Sequence, residues 1–109
     1  MNAKSTEAVY TQELRRGVIV LAVLSQLSEL QYGYSLITQL AELGFAVDQG
    51  TLYPLLRRLE DRGLLESEWV VGESRPRRYY KISPAGEKAY TDLKSEWQEL
   101  VKTMQEVIK

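Results

Sequence analysis

Towards the C-terminus, apolar residues recur at Tyr90, Leu93, Trp97, Leu100, Met104 and Val107, in steps of 3, 4, 3, 4 and 3. This is the a/d spacing of a heptad seam on one long helix, with Val101 and Ile108 widening one flank. Ser83-Pro84 supplies the start, an N-cap residue followed by proline at the first helical position. Run to about Ile108, such a helix has ~25 residues and, at ~1.5 Å of rise each, is ~37 Å long. The whole chain has 109 residues, enough for one modest domain. A domain of that size cannot cover so long a stripe, so part of the seam must meet another chain. A symmetric dimer is the simplest closed solution. The chain therefore divides into residues 1–83, a folded domain, and 84–109, a dimerisation helix.

Within the first 83 residues the periodicity is helical. Residues 1–10 are polar and weakly patterned, an arm or a first helical turn. From about Thr11 to Leu30 the spacing predicts one helix, with Leu14, Val18, Leu21, Leu24 and Leu27 as its stripe. Ile19, Val20, Ala22 and Val23 broaden the stripe nearly all round, as expected of a central, covered helix. Tyr32-Gly33-Tyr34 opens a second helix with Leu36, Ile37, Leu40 and Leu43 inward, stopped at Gly44. Phe45-Ala46-Val47 is expected to be a short strand.

A third helix follows over residues 51–65, where Leu52, Leu55, Leu56 and Leu59 form an i, i+3, i+4, i+7 face. Asp48 offers the N-cap and Gly63 the stop. Pro54 fits if regular helix begins near Thr51, because the first turn has unpaired amides. The face opposite the leucines carries Tyr53 and Arg57. Next come β-favouring residues from Leu65 to Val71, turn chemistry in Gly72-Glu73-Ser74-Arg75-Pro76, and a Tyr/Arg-rich strand from Arg77 to Ile82. Three helices and a basic-tipped hairpin are the order of a winged helix-turn-helix domain. The fold class is mostly α (α+β), with the long C-terminal helix added.

Composition removes several functions. There is no Cys and no His, which excludes disulfides, zinc fingers and the side chain best suited to acid–base work near neutral pH. No glycine-rich phosphate loop is present, and the acids are scattered over helix surfaces. No enzyme activity, cofactor or metal site is expected. The apolar run at 18–24 is too short for a bilayer and too far in for a signal peptide, so the chain reads as cytoplasmic with no membrane partner.

Charge argues for local cations over a basic whole. The chain carries 14 basic and 15 acidic residues. Arg57, Arg58, Arg62, Arg75, Arg77, Arg78 and Lys81 fall within 57–81, offset by Glu60, Asp61, Glu66, Glu68 and Glu73, which leaves an excess of two. Phosphate contact depends on such local placement, and a dimer doubles it.

Three blocks resemble a known family. Thr51-Leu52-Tyr53-Pro54-Leu55-Leu56 with Arg58-Leu59-Glu60 and Gly63-Leu64-Leu65 is similar to the signature of PadR-like transcriptional regulators. Tyr32-Gly33-Tyr34 resembles the start of that family's second helix, and Arg77 to Gly86 its second wing strand and entry to the last helix. The single C-terminal helix resembles the family's shorter subgroup. The resemblance implies a homodimeric repressor on inverted-repeat, double-stranded operators. It implies Gln49, Thr51, Tyr53 and Arg57 in the major groove, and Arg75, Arg77 and Arg78 of the wing on the backbone or minor groove. It also implies dimerisation through the last helix and, as in some relatives, a planar aromatic effector bound there.

Each candidate has a plain reading beside the functional one. Arg57 and Tyr53, one turn apart, suit base or phosphate contact. Gln49 and Thr51 suit contact or capping equally. Arg58 sits at the helix edge, facing DNA or paired with Glu60 or Asp61. Tyr79 and Tyr80 alternate in a strand, so one packs inside and one faces out. Trp97 is either dimer core or an aromatic wall for a planar ligand, since its bulk suits a tight two-stranded coiled coil poorly. A winged helix that only binds protein is the rival from another class.

Overall fold

The structure, a computed structural model, describes residues 3–72 and 75–109, with side chains from Thr6 onward. Glu73 and Ser74, two of the expected turn residues, lie outside the described residues. The elements in order are α1 (Ala3–Arg16), α2 (Ile19–Ser25), β1 (Gln31–Tyr32), α3 (Gly33–Glu42), α4 (Gln49–Asp61), β2 (Leu65–Val70), β3 (Arg77–Ile82) and α5 (Pro84–Val107).

The expected helix from Thr11 to Leu30 is two helices. Helix begins much earlier, at Ala3, and breaks at Gly17-Val18. Glycine at the break exposes backbone and loses more freedom in a helix than other residues. Only α2 and the turn that follows it are central: Val23, Leu24 and Leu27 are fully buried, whereas Leu14 is 77% exposed. An unbroken period cannot distinguish one helix from two whose axes diverge, so spacing alone places Leu14 on the same stripe.

Leu36 and Leu40 of α3 and Leu52, Leu55, Leu56 and Leu59 of α4 join the α2 residues in one buried core; α4 packs on α3 and β2, and α2 lies against α5. Leu43, expected inward, is 66% exposed because it is the C-cap of α3, where the chain is already turning away. Gly44 and Gly63 end α3 and α4 in the same manner, at φ of +90° and +81°. In each the glycine amide bonds the carbonyl three residues back and the next amide bonds five back, at 2.8–3.0 Å. This is the Schellman stop, which needs a left-handed residue that only glycine adopts without strain.

The sheet is antiparallel in the order β1-β3-β2. Phe45-Ala46-Val47 forms no strand; Phe45 and Val47 lie half-buried against the core in the loop before α4. The extra strand is Gln31–Tyr32 instead, pairing Gln31 with Tyr80 and Tyr32 with Tyr79. Two residues are too few to show a period of two. The hairpin register runs from Leu65 opposite Ile82 to Val70 opposite Arg77, so the wing tip lies beyond Val70 and before Arg77.

Helix α5 starts as expected. The Ser83 hydroxyl accepts from the Gly86 amide at 3.0 Å and donates to the Gly63 carbonyl at 2.6 Å, joining cap and α4 stop. Its first turns pack on the core through Ala89 and Tyr90. Leu93, Trp97, Leu100, Met104 and Val107 then leave the domain exposed. The molecule is accordingly elongated, 52 × 35 × 24 Å. Among the described residues, no helix is long and apolar enough to cross a membrane.

Candidate nucleic-acid interface

Helix α4 is aimed by its ends and its back. The Asp48 carboxylate accepts the Thr51 amide at 2.7 Å, so the helix opens at Gln49. Pro54 therefore stands in the second turn, not the first as expected. Its missing amide would have bonded the carbonyl of Gly50, and Gly50 is exposed, where solvent can bond that carbonyl instead. The four leucines seat the back of the helix on the core, and this turns Tyr53 and Arg57 outward.

Tyr53 lies against the start of α3. A Cβ on Gly33 would overlap Cε1 of the Tyr53 ring, so glycine there is what lets the ring rest so close. Across from Tyr53 stands the hairpin. The face between them is an open cleft of about 620 Å³ lined by Tyr32, Gly33, Tyr34, Gln49, Tyr53, Leu56, Arg57, Trp69, Arg75, Arg77, Arg78 and Tyr80. Four of these are arginines, and no carboxylate is among the described residues that line it.

The structure brings Gln49, Tyr53 and Arg57 of α4 together with Arg75, Arg77 and Arg78 of the wing. Thr51 and Arg58 stand apart from the cleft. Thr51 opens onto a smaller hollow of about 390 Å³ beside Arg15, Arg16 and Asp48, with its amide already in the cap. Arg58 is exposed, and among the described residues no acid pairs with it.

Strand β3 sorts its side chains by face. Residues 78, 80 and 82 turn inward and 77, 79 and 81 outward, the period of two that a pleated strand imposes. Tyr80 is buried, while Tyr79, on the other face by the alternation, is half-buried and tilted against Tyr32 at 5.4 Å between ring centres. Burial pushes the Tyr80 hydroxyl above its ordinary pKa; Glu60 pushes the same way, while Arg78 and Arg57 pull against it. Arg77 is exposed, its guanidinium 4.7 Å above the Tyr32 ring. Arg78 is turned in: Nη2 donates to Glu60 Oε1 at 2.7 Å and Nε to the Ser67 hydroxyl at 3.1 Å. Residue type groups the two arginines; their alternation along the strand separates them.

Tyr32, Tyr34 and Trp69 line the same cleft, although the sequence did not mark them as site residues. Tyr32 and Tyr34 are visible there only as the edges of a helix start, and Trp69 only as a strand former. A separate apolar face went unmarked as well. Val9, Tyr10 and Leu14 of α1 are exposed, matching the exposed seam on α5.

The chain matches the family model described as the transcriptional regulator PadR-like family over residues 20–92. The chain belongs to the PadR-like family of transcriptional regulators. It is similar to a transcriptional regulator of Mycobacterium tuberculosis, 38% identical over 92 residues, covering 84% of this chain and 86% of the relative. Its structure is similar to that of a PadR family regulator from Eggerthella lenta, with a TM-score of 0.92, 40% identity, and coverage of 97% and 95% of the two chains. A transcriptional regulator from Clostridium thermocellum is similar at a TM-score of 0.83 and 29% identity, over 89% of this chain and 99% of that one. As a PadR-like regulator the protein is a winged-helix, DNA-binding transcription regulator and not an enzyme.

Proposed function

We propose that this PadR-like regulator is a homodimeric, cytoplasmic repressor that binds inverted-repeat operators. Residues 1–83 form the DNA-binding unit and 84–109 the dimerisation helix. Gln49, Tyr53 and Arg57 enter the major groove, where Arg and Gln are the side chains that bond two atoms of one base edge. Arg75 and Arg77 hold phosphates beside it and set register without reading sequence. Thr51 and Arg58 meet the backbone flanking the helix. The observation that carries this reading is the cleft, which gathers Arg57 of α4 with Arg75 and Arg77 of the wing, with no carboxylate among the described residues that line it.

The dimer rests on two bare faces. The α5 seam through Leu93, Trp97, Leu100, Met104 and Val107 and the α1 residues Val9, Tyr10 and Leu14 are all apolar and exposed in the single chain, while Tyr90 at the domain end of the seam is half-buried against the core. Large contiguous apolar patches on a soluble protein mark interfaces. Pairing two copies presents two recognition helices, which suits a palindromic site. Trp97 at mid-seam offers a flat wall on which a planar aromatic effector stacks and loosens DNA.

The test is selection of bound duplexes from a random library by the full chain, followed by mobility shifts against scrambled sequence. Recovered sites with inverted symmetry and binding that weakens steeply with salt support the reading. Salt-independent binding, or none at low salt, would leave a protein-interaction module in its place.

A further inference from the structure

Glu60, Ser67 and Arg78 close a ring of hydrogen bonds between α4 and both wing strands. Arg78 Nη2 donates to Glu60 Oε1 at 2.7 Å, Arg78 Nε donates to the Ser67 hydroxyl at 3.1 Å, and that hydroxyl donates to Glu60 Oε2. Both carboxylate oxygens are used, and the guanidinium acts as a planar fork that lysine cannot imitate. The Trp69 and Tyr80 rings lie 5.8 and 5.7 Å from the guanidinium carbon. The ion pair is partly shielded, with the two side chains 36% and 24% exposed.

The place of the ring in the sheet matters. The third strand, β1, pairs with β3 only at Tyr79 and Tyr80. Beyond those positions the wing is a two-stranded ribbon, Trp69 opposite Arg78 and Val70 opposite Arg77, ending in the tip. Two strands alone twist freely and are marginal in water. The ring therefore grips the ribbon where the sheet stops supporting it, and its anchor is the last turn of α4. A helix and a wing that must touch one duplex together need a fixed angle between them.

We propose that Glu60, Ser67 and Arg78 are positioning residues for DNA recognition: they set the angle of the wing to α4, and Arg78 makes no DNA contact of its own. The proposal rests on reading α4 and the wing as the DNA-binding pair. Arg78, one of the four arginines of the cleft, is spent on geometry, while Arg57, Arg75 and Arg77 meet the nucleic acid.

Charge and geometry give opposite signs for one variant. Glu60→Gln removes an acid and frees Arg78, so electrostatics alone strengthens DNA binding; loss of the grip weakens it. The measurement is fluorescence anisotropy of the full chain on a labelled duplex selected by the wild-type protein, and on a mixed-sequence duplex of equal length. Glu60→Gln is expected to weaken binding to the selected duplex about tenfold, roughly 1.4 kcal/mol, with a smaller change on the mixed duplex. Arg78→Lys keeps the charge and should lose about as much. A variant that only lowers the folded fraction would weaken both duplexes alike, and that result overturns the proposal. Ser67→Ala changes no charge and opens the ring, so it carries the same test if Glu60→Gln does not fold. Unchanged or tighter binding by the folded variants, or wild-type affinity in Arg78→Lys, also overturns it. If the wild-type chain binds no duplex at low salt, the DNA reading falls first and the proposal with it.

Discussion

Helices α4 and α5 carry equally regular apolar stripes, yet meet opposite fates. In α4 the four leucines are buried, Leu52 completely, in the core that α4 shares with its neighbours α3 and β2. In α5 the stripe is covered only at its first turns, and Trp97 and Leu100 remain 43% and 47% exposed. A period says that a helix has an apolar side; whether the chain itself supplies the cover depends on how much core lies within reach. For α4 the neighbouring helices are close in sequence and in space. For α5 the domain ends before the helix does.

The largest effect that can break this comparison is a truncation in each stripe. Leu56→Ala leaves a cavity in the covered stripe and is expected to cost about 2–5 kcal/mol at any protein concentration. Leu100→Ala should cost less, and its cost should grow with protein concentration, because in the proposed dimer the further cover there comes from a second copy. Leu100→Asp sharpens the contrast: sedimentation should give the single-chain mass of 12.5 kDa with helical content kept, against twice that for the wild type. A wild-type chain that sediments as a monomer and unfolds with concentration-independent midpoints would remove the distinction between the two stripes.

A smaller effect tests the outer face of α4. In Gly33→Ala the new methyl would overlap the Tyr53 ring, so the ring must turn or α3 must shift. Overpacking of this kind costs about 1–3 kcal/mol, read by thermal unfolding. Because Tyr53 lines the cleft, affinity for a selected duplex should fall further than stability alone explains. Wild-type affinity in a stable Gly33→Ala protein would separate Tyr53 from recognition.

How much of the molecule is legible in its sequence follows the same divide. Leu52, Leu55, Leu56 and Leu59, the Asp48 and Ser83 caps and the Gly44 and Gly63 stops are local chemistry, and each stands where its spacing predicts. The features that spacing misplaces need distant information. The break at Gly17 depends on where α1 leaves the core, and the strand at Gln31–Tyr32 exists because β3 has a free edge beside it. In the cleft, residue type points to Arg57, Arg75 and Arg77. It cannot reveal that Arg78 faces Glu60, since that acid lies 18 positions away. Arg77→Ala checks the division between the two neighbouring arginines. If Arg77 holds one phosphate in each subunit, its removal should lower affinity on all duplexes, and the salt slope of a dimer should drop by about 2. A slope equal to wild type would mean that Arg77 touches no phosphate.

The smallest effect belongs to the covered side of the wing. Tyr80 is buried, and desolvation raises its hydroxyl above the ordinary value of 10.0, with Glu60 adding to the rise against Arg78 and Arg57. The folded state therefore favours the neutral phenol. For an acid whose folded pKa is raised, the stabilising contribution is complete below the unfolded value and disappears as pH climbs through the folded one. Stability should accordingly fall as pH rises from about 10 upward. Tyr80→Phe has no proton to lose, so its urea midpoint should decline less over the same range. Phenylalanine fills the same space, and near neutral pH the two proteins should differ little. Parallel decline of both would show that the ring is reached by solvent without cost, and that this face of the sheet is less closed against α4 than the bonds of Glu60, Ser67 and Arg78 require.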